Sequence, residues 1–146
     1  MSVVRNCNLP DDLYYNVRGH VWCRRDGDLV VCGMTDVAQN LAKTFIAYSP
    51  KKIGKTVAKG KSTATLESGK WVGPVPAPVA GEIVEINEGG TGDPTIFNRD
   101  PYGDGWICKI RPQDWDRDAA DLVTGEQAMS DYGAFLEEEG IECEPA

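Results

Sequence analysis

A chain of 146 residues with 41% hydrophobic content is long enough to bury a core of its own, so one domain spanning residues 1–146 is expected. A formal net charge of −8 argues against nucleic acid, whose phosphates demand a basic face. No apolar run approaches the roughly eighteen residues that cross a bilayer, and no basic segment leads into an apolar stretch at the N-terminus. A cytoplasmic monomer without membrane contact is therefore expected. The five cysteines (Cys7, Cys23, Cys32, Cys108, Cys143) are odd in number and lack metal-ligand spacing. They suggest neither a disulfide framework nor a zinc site, and read as buried or idle thiols. Sixteen glycines and nine prolines between short apolar runs favour many brief strands and tight turns over long helices.

Residues 1–12 show little periodicity and read as an arm. Residues 17–25 and 28–33 read as a hairpin turning at Asp26-Gly27, a dipeptide that tolerates positive φ. That register sets Cys23 opposite Val30 and Cys32 opposite Val21, leaving the two thiols diagonal and roughly 7–8 Å apart. A bridge between them would be strained. Thr35 is placed to cap a short helix running to about Lys43, with Val37, Ala38 and Leu41 inward, that closes one end of the sheet. Residues 43–61 hold six lysines and no acidic residue. This basic island is either a solvated face that discourages edge pairing or a docking surface for an acidic partner.

Thr63 to Glu67 alternate as a strand, Ser68-Gly69 supplies turn chemistry, and Lys70 stands at the turn. Pro74, Pro76 and Pro78 stiffen the return toward residues 79–84. Gly60 and Gly81 flank Lys70 almost symmetrically, which suggests two similar strand pairs facing each other. The run Gly89-Gly90-Thr91-Gly92 is a turn and no phosphate loop, since it lacks the Lys-Ser/Thr that completes one. Residues 106–110 alternate as a strand with Trp106, Cys108 and Ile110 on one face, the tryptophan reading as core. Thr124 and Gln127 form a capping-box pattern, and Ala128, Met129, Tyr132, Phe135 and Leu136 recur at helical spacing. A terminal helix over about 125–139 should pack on the β-rich body, whose core spans about 9–112. Gly133 weakens that helix, Gly140 stops it, and Glu137-Glu138-Glu139 sit at the wrong end of its dipole, so fraying is expected beyond Leu136.

Catalytic constellations are sparse. His20 is the sole histidine, which rules out a multi-histidine metal site and reads as structural or surface, and no carboxylate spacing singles out an acid/base pair. A lone exposed lysine is ordinarily a solvated charge; the surrounding pattern gives Lys70 another meaning.

Glu67-Ser68-Gly69-Lys70, preceded by residues 53–60 and followed by residues 78–83, resembles the lipoyl-lysine hairpin of the glycine cleavage system H proteins. Residues 13–15 and 20–22 resemble that family's opening segment, residues 33–39 its first short helix, and residues 100–106 its last barrel strand. The resemblance covers roughly residues 9–140. It implies a mainly β fold with short helices, a barrel-sandwich hybrid with an added C-terminal helix. It also implies lipoate as a covalent amide on Lys70, within a hairpin context of Glu67, Ser68, Gly69 and Trp71. Glu67 would help the lipoate-attaching enzyme orient the hairpin. The host would be a non-catalytic carrier, with the chemistry residing in a dithiolane that opens by attack on sulfur. Biotin carriers resemble this architecture too, but they flank their lysine with methionines, where Gly69 and Trp71 stand here.

Two departures from the family pattern bear on cargo. Small residues after the lysine are replaced by Trp71 and Val72, and a histidine of the first helix is replaced by Val37. Both make the surface beneath the arm more apolar, which suits sulfur better than a cationic aminomethyl group. On that ground the pattern resembles the lipoate-binding proteins of the heterodisulfide-reductase-like sulfur-oxidation complex, whose arm shuttles sulfur-bound intermediates. The alternative is a glycine cleavage H protein serving glycine decarboxylase, aminomethyltransferase and dihydrolipoyl dehydrogenase. A third reading is an interaction module without a prosthetic group.

Overall fold

The structure, a computed structural model, describes residues 2–144. Its first elements are β1 (Ser2–Val4), β2 (Cys7–Leu9), β3 (Tyr14–Asn16), β4 (Val21–Asp26), β5 (Leu29–Met34) and α1 (Asp36–Ala42). There follow β6 (Phe45–Pro50), β7 (Thr56–Val57), β8 (Ser62–Ser68), β9 (Val72–Pro76), β10 (Gly81–Ile86), α2 (Glu88–Gly92) and α3 (Ile96–Arg99). The chain closes with β11 (Cys108–Pro112), α4 (Trp115–Ala119), β12 (Val123–Thr124) and α5 (Gly125–Glu139). Among the described residues no helix is long and apolar enough to cross a membrane.

A seven-stranded antiparallel sheet in the order β12-β3-β4-β5-β11-β10-β7 faces a three-stranded sheet in the order β6-β8-β9. Between them lies the main core, to which Val21, Cys23, Val30, Cys32, Leu66, Val75, Ile83 and Ile110 contribute. Each fully buried aliphatic side chain contributes about 1.5–3 kcal/mol. A second core lies on the outer face of the large sheet, where Tyr15, Trp22 and Val31 pack against Ala128, Tyr132 and Leu136 of α5. With both faces covered, Val21–Cys23 of β4 and Val30–Met34 of β5 are buried without alternation, while β4 turns polar at Arg24, Arg25 and Asp26 as it leaves the core. The architecture is the expected barrel-sandwich hybrid with an added C-terminal helix. β9 carries Pro74 and Pro76 and forms a sheet edge, where missing N–H donors cost least.

The β4/β5 hairpin departs from its expected register. Asp26 pairs with Leu29, so the turn is Gly27-Asp28 and Gly27 takes φ +60°. Trp22 then falls opposite Gly33, whose ideal Cβ would lie 2.7 Å from the indole. Only a residue without a side chain fits there. The same register pairs Cys23 directly with Cys32, which in turn pairs with Cys108, aligning three buried thiols across β4, β5 and β11. The Sγ atoms of Cys32 and Cys108 lie 3.3 Å apart, in a thiol hydrogen bond. Burial pushes the Cys23 thiol up to about 12, which keeps it protonated and unreactive at neutral pH.

Other expectations are corrected by long-range contacts. Residues 2–9 are a β-hairpin turning at Arg5-Asn6, both at positive φ, rather than a loose arm. Cys7 and Cys143 form a disulfide that ties this hairpin to the C-terminal tail, a pairing that spacing could not reveal because 136 residues separate the two. In the chain-entropy model a loop of that length is worth roughly 5 kcal/mol. Gly89-Gly90-Thr91-Gly92 belong to α2 rather than a turn, because the Asn87 side chain caps it by accepting from the Gly90 N–H. Residues 100–106 form turns instead of a strand: the Asp100 carbonyl accepts from the Gly103 and Gly105 N–H groups. The strand begins at Cys108, and Trp106 packs with the outer core while Cys108 and Ile110 enter the main one.

Thr35 caps α1 as expected, accepting from the Ala38 N–H, but Leu41 is 44% exposed rather than inward. Thr124 precedes α5 without capping it; its hydroxyl donates to the Leu13 carbonyl, and Gln127 turns to Asp131. α5 runs through Glu139 past the expected fraying point. Gly140 closes it in the left-handed region, and the Ile141 N–H donates to the Leu136 carbonyl.

Replacing Gly33 with alanine should drive a methyl group into the Trp22 ring. Overpacking of this kind costs about 1–3 kcal/mol, which a chemical denaturation series on G33A and wild type would measure.

Candidate functional site

The lysine hairpin grows from the β8/β9 pair, whose last ladder partners are Glu67 and Val72. Beyond them the Ser68 N–H donates to the Trp71 carbonyl at 2.7 Å, leaving Gly69 and Lys70 as a two-residue tip. The Ser68 hydroxyl oxygen turns inward, only 5% of the residue being exposed, and accepts from the backbone N–H groups of Lys70 (3.2 Å) and Trp71 (3.1 Å). The turn chemistry expected of Ser68-Gly69 therefore resides in the serine. Gly69 is absent from the positive-φ residues, and a Cβ on it would meet nothing within 4 Å. Lys70 is exposed, on a backbone that Ser68 pins.

Glu67 points outward on the exposed face of β8, alternating with the inward Leu66 and Ser68. Beside it stand two exposed apolar residues, Ile46 and Val72. Trp71 follows a different course. Its indole folds back over Gly73, where an added Cβ would lie 2.3 Å from the ring, and its other side borders a pocket. That pocket is half-open, about 290 Å³, and lined by His20, Met34, Ala38, Leu41, Ala42 and Trp71. No carboxylate among the described residues lines it.

Sequence reading did not assemble this pocket. Its walls come from the β3/β4 turn, the end of β5 and α1, which the sheet register brings beneath the hairpin: the Thr35 N–H donates to the His20 carbonyl, and Val21 pairs with Met34. The available signal was Leu41, an apolar residue one turn from Ala38, which the structure leaves 44% exposed at the pocket instead of in the core. His20 sits at φ +56° with its ring 5.5 Å from that of Phe135, and its Nδ1 is buried without a partner among the described residues. Burial lowers its pKa from the ordinary value, because the imidazolium would be desolvated.

These local geometries carry two expectations. Ser68→Ala removes the acceptor for two tip N–H groups and should lower stability by about 1 kcal/mol, whereas Gly69→Ala should change it by less than about 0.5 kcal/mol; urea midpoints of the two variants decide between them. For His20 the unfolded chain binds a proton near the ordinary pKa of about 6.5 and the folded chain only below it. Stability should hold above that pH and fall as pH drops through the window beneath it. His20→Asn, which accepts positive φ and does not titrate, should flatten that part of the profile in thermal melts at stepped pH.

A family model described as "Glycine cleavage H-protein" matches residues 13–134. The chain is 44% identical to glycine cleavage system H protein 5 of Aquifex aeolicus, over 98% of this chain and 99% of the relative. It is also 44% identical to a probable glycine cleavage system H protein 2 of Sulfolobus acidocaldarius, over 98% and 97%. A crystal structure of an H protein from Mycobacterium marinum superposes with TM-score 0.74 at 30% identity, over 91% of this chain and all of that one. The chain therefore belongs to the glycine cleavage H-protein family, whose members are non-catalytic carriers bearing lipoate covalently on a lysine.

Proposed function

We propose that Lys70 is the lipoyl attachment residue, and that this chain is a carrier whose arm visits the active sites of partner enzymes. The observation that carries the reading is the tip itself. A two-residue turn lifts one amine into solvent, Ser68 holds the backbone beneath it, and an apolar pocket opens at the neighbouring Trp71. A lipoate-attaching enzyme needs an accessible ε-amine in a fixed frame, and the outward Glu67 gives it a charge by which to orient the hairpin. When bound, the group supplies a reversible disulfide that carries cargo between sites. The chain itself contributes tethering, which raises the local concentration of the sulfur at each partner. Met34, Ala38, Leu41, Ala42 and Trp71 offer an apolar resting surface that fits an aliphatic arm.

The names of the relatives support glycine cleavage as the pathway, with an aminomethyl cargo and glycine decarboxylase, aminomethyltransferase and dihydrolipoyl dehydrogenase as partners. One structural observation favours a second reading, sulfur carriage for a heterodisulfide-reductase-like complex. Among the described residues the pocket has no carboxylate to pair with a cationic aminomethyl group, and its polar member, His20, is held toward the neutral form by burial. Both readings are cytoplasmic, and there the Cys7–Cys143 bridge would have to persist against the thiol pool; both of its cysteines are buried.

Protein produced in a lipoylating host should show the lipoyl mass increment on the peptide containing Lys70, and Lys70→Arg, which keeps the charge but blocks the amide, should abolish it. An increment found elsewhere would refute the assignment. The lipoylated protein should then accept the aminomethyl group from glycine in the presence of glycine decarboxylase; failure to load, with an H protein of known activity loading in parallel, would select the sulfur reading.

A further inference from the structure

We infer that the end of the molecule remote from Lys70 is a docking surface for an acidic protein partner, built from Lys51, Lys52, Lys55 and Lys61 around the exposed Ile53. The proposal goes beyond the carrier reading and does not need the arm. Of the six lysines in residues 43–61, Lys43 is paired with Glu144 and Lys59 with Asp121, each at 3.0 Å. The other four are exposed, and no carboxylate among the described residues lies within 4.0 Å of them. Glu82, whose backbone pairs with Thr56, gives its carboxylate to Arg111. A concentration of unpaired positive charge on a chain of net charge −8 is the reverse of what general solvation requires.

The backbone beneath these lysines is fixed. The Lys51 N–H donates to the Thr63 carbonyl, the Gly54 N–H to Ile83, the Ile83 N–H to Lys55, and the Ala77 N–H to Lys61. Gly54 at φ +94° turns the loop and presents Ile53, 60% exposed, among the cations. A pre-organised apolar anchor ringed by charge is how a contact gains both affinity and orientation, and complementary charge raises the encounter rate. The occupant is a protein surface with carboxylates around an apolar recess. A second copy of this chain is disfavoured by mutual repulsion at −8 each. Lys51 and Lys61 flank the start of β8 and the lysine tip follows its end, so the six steps from Ser62 to Ser68 separate them by about 20 Å. A partner held here leaves the arm uncovered.

The test is amide NMR of the whole lipoylated protein at low salt, titrated with a dodecapeptide of glutamate and aspartate interrupted by one leucine. The expected result is shifts at residues 51–56 and 60–62, with 68–72 unmoved. Affinity should fall about tenfold in K52E/K55E and several-fold in Ile53→Ser, the spectra themselves reporting that the variants are folded. Shifts elsewhere, or none, would overturn the proposal. Equal binding by a leucine-free peptide or by an oligothymidylate of matched charge would also overturn it, by reducing the surface to a general polyanion site. Concentration-dependent line broadening without peptide, abolished in K52E/K55E, would overturn it in favour of self-association.

Discussion

The contact of the Trp22 indole with the bare backbone of Gly33 fixes the centre of this molecule. A tryptophan buried on the outer face of a sheet needs room on the neighbouring strand, and only the register that sets it against glycine provides that room. From this pairing follow Val21 opposite Met34, the bond between the His20 carbonyl and the Thr35 N–H, and the start of α1 capped by Thr35. The walls of the pocket near the lysine tip are thus set by a packing decision on the opposite face of the sheet. The indole N–H donates to the Pro101 carbonyl, so its polar atom is satisfied without water.

The site couples a rigid base to a free end. Ser68 spends its hydroxyl on the backbone of the turn, so the tip does not need glycine's conformational freedom, and the Lys70 ammonium has no ion pair among the described residues. In this division, reach comes from the side chain while accuracy of presentation comes from the sheet. The apolar residues about the tip, Ile46, Trp71 and Val72, remain partly in water.

Much of this was legible in the residues. Alternation in Thr63 to Glu67, the prolines of the return strand, the Thr35 cap and the periodic apolar face of α5 are local signals, and each led to the right kind of element. What escaped depends on contacts between distant segments. The register of β4 and β5 turns on the fit of one ring to one glycine, and shifting it by a pair leaves the same faces inward, so alternation cannot detect the error. The Cys7–Cys143 bridge joins residues with no shared local pattern. Thr124 and Gln127 matched a capping sequence, yet the Thr124 hydroxyl found a better acceptor at Leu13, on another segment. Leu41 showed helical spacing, yet the core takes Ala38 and Ala42 and leaves Leu41 on the half-exposed flank of the helix.

Because the bridge joins Cys7 to Cys143, the polypeptide between them is closed into a covalent ring. Tension applied to the two ends would be borne by the sulfur–sulfur bond and would not peel strands from either sheet. Of the described residues, only 2–6 and 144 lie outside the ring. Mechanically, the ringed body would behave as a solid bead, whichever side the pull came from.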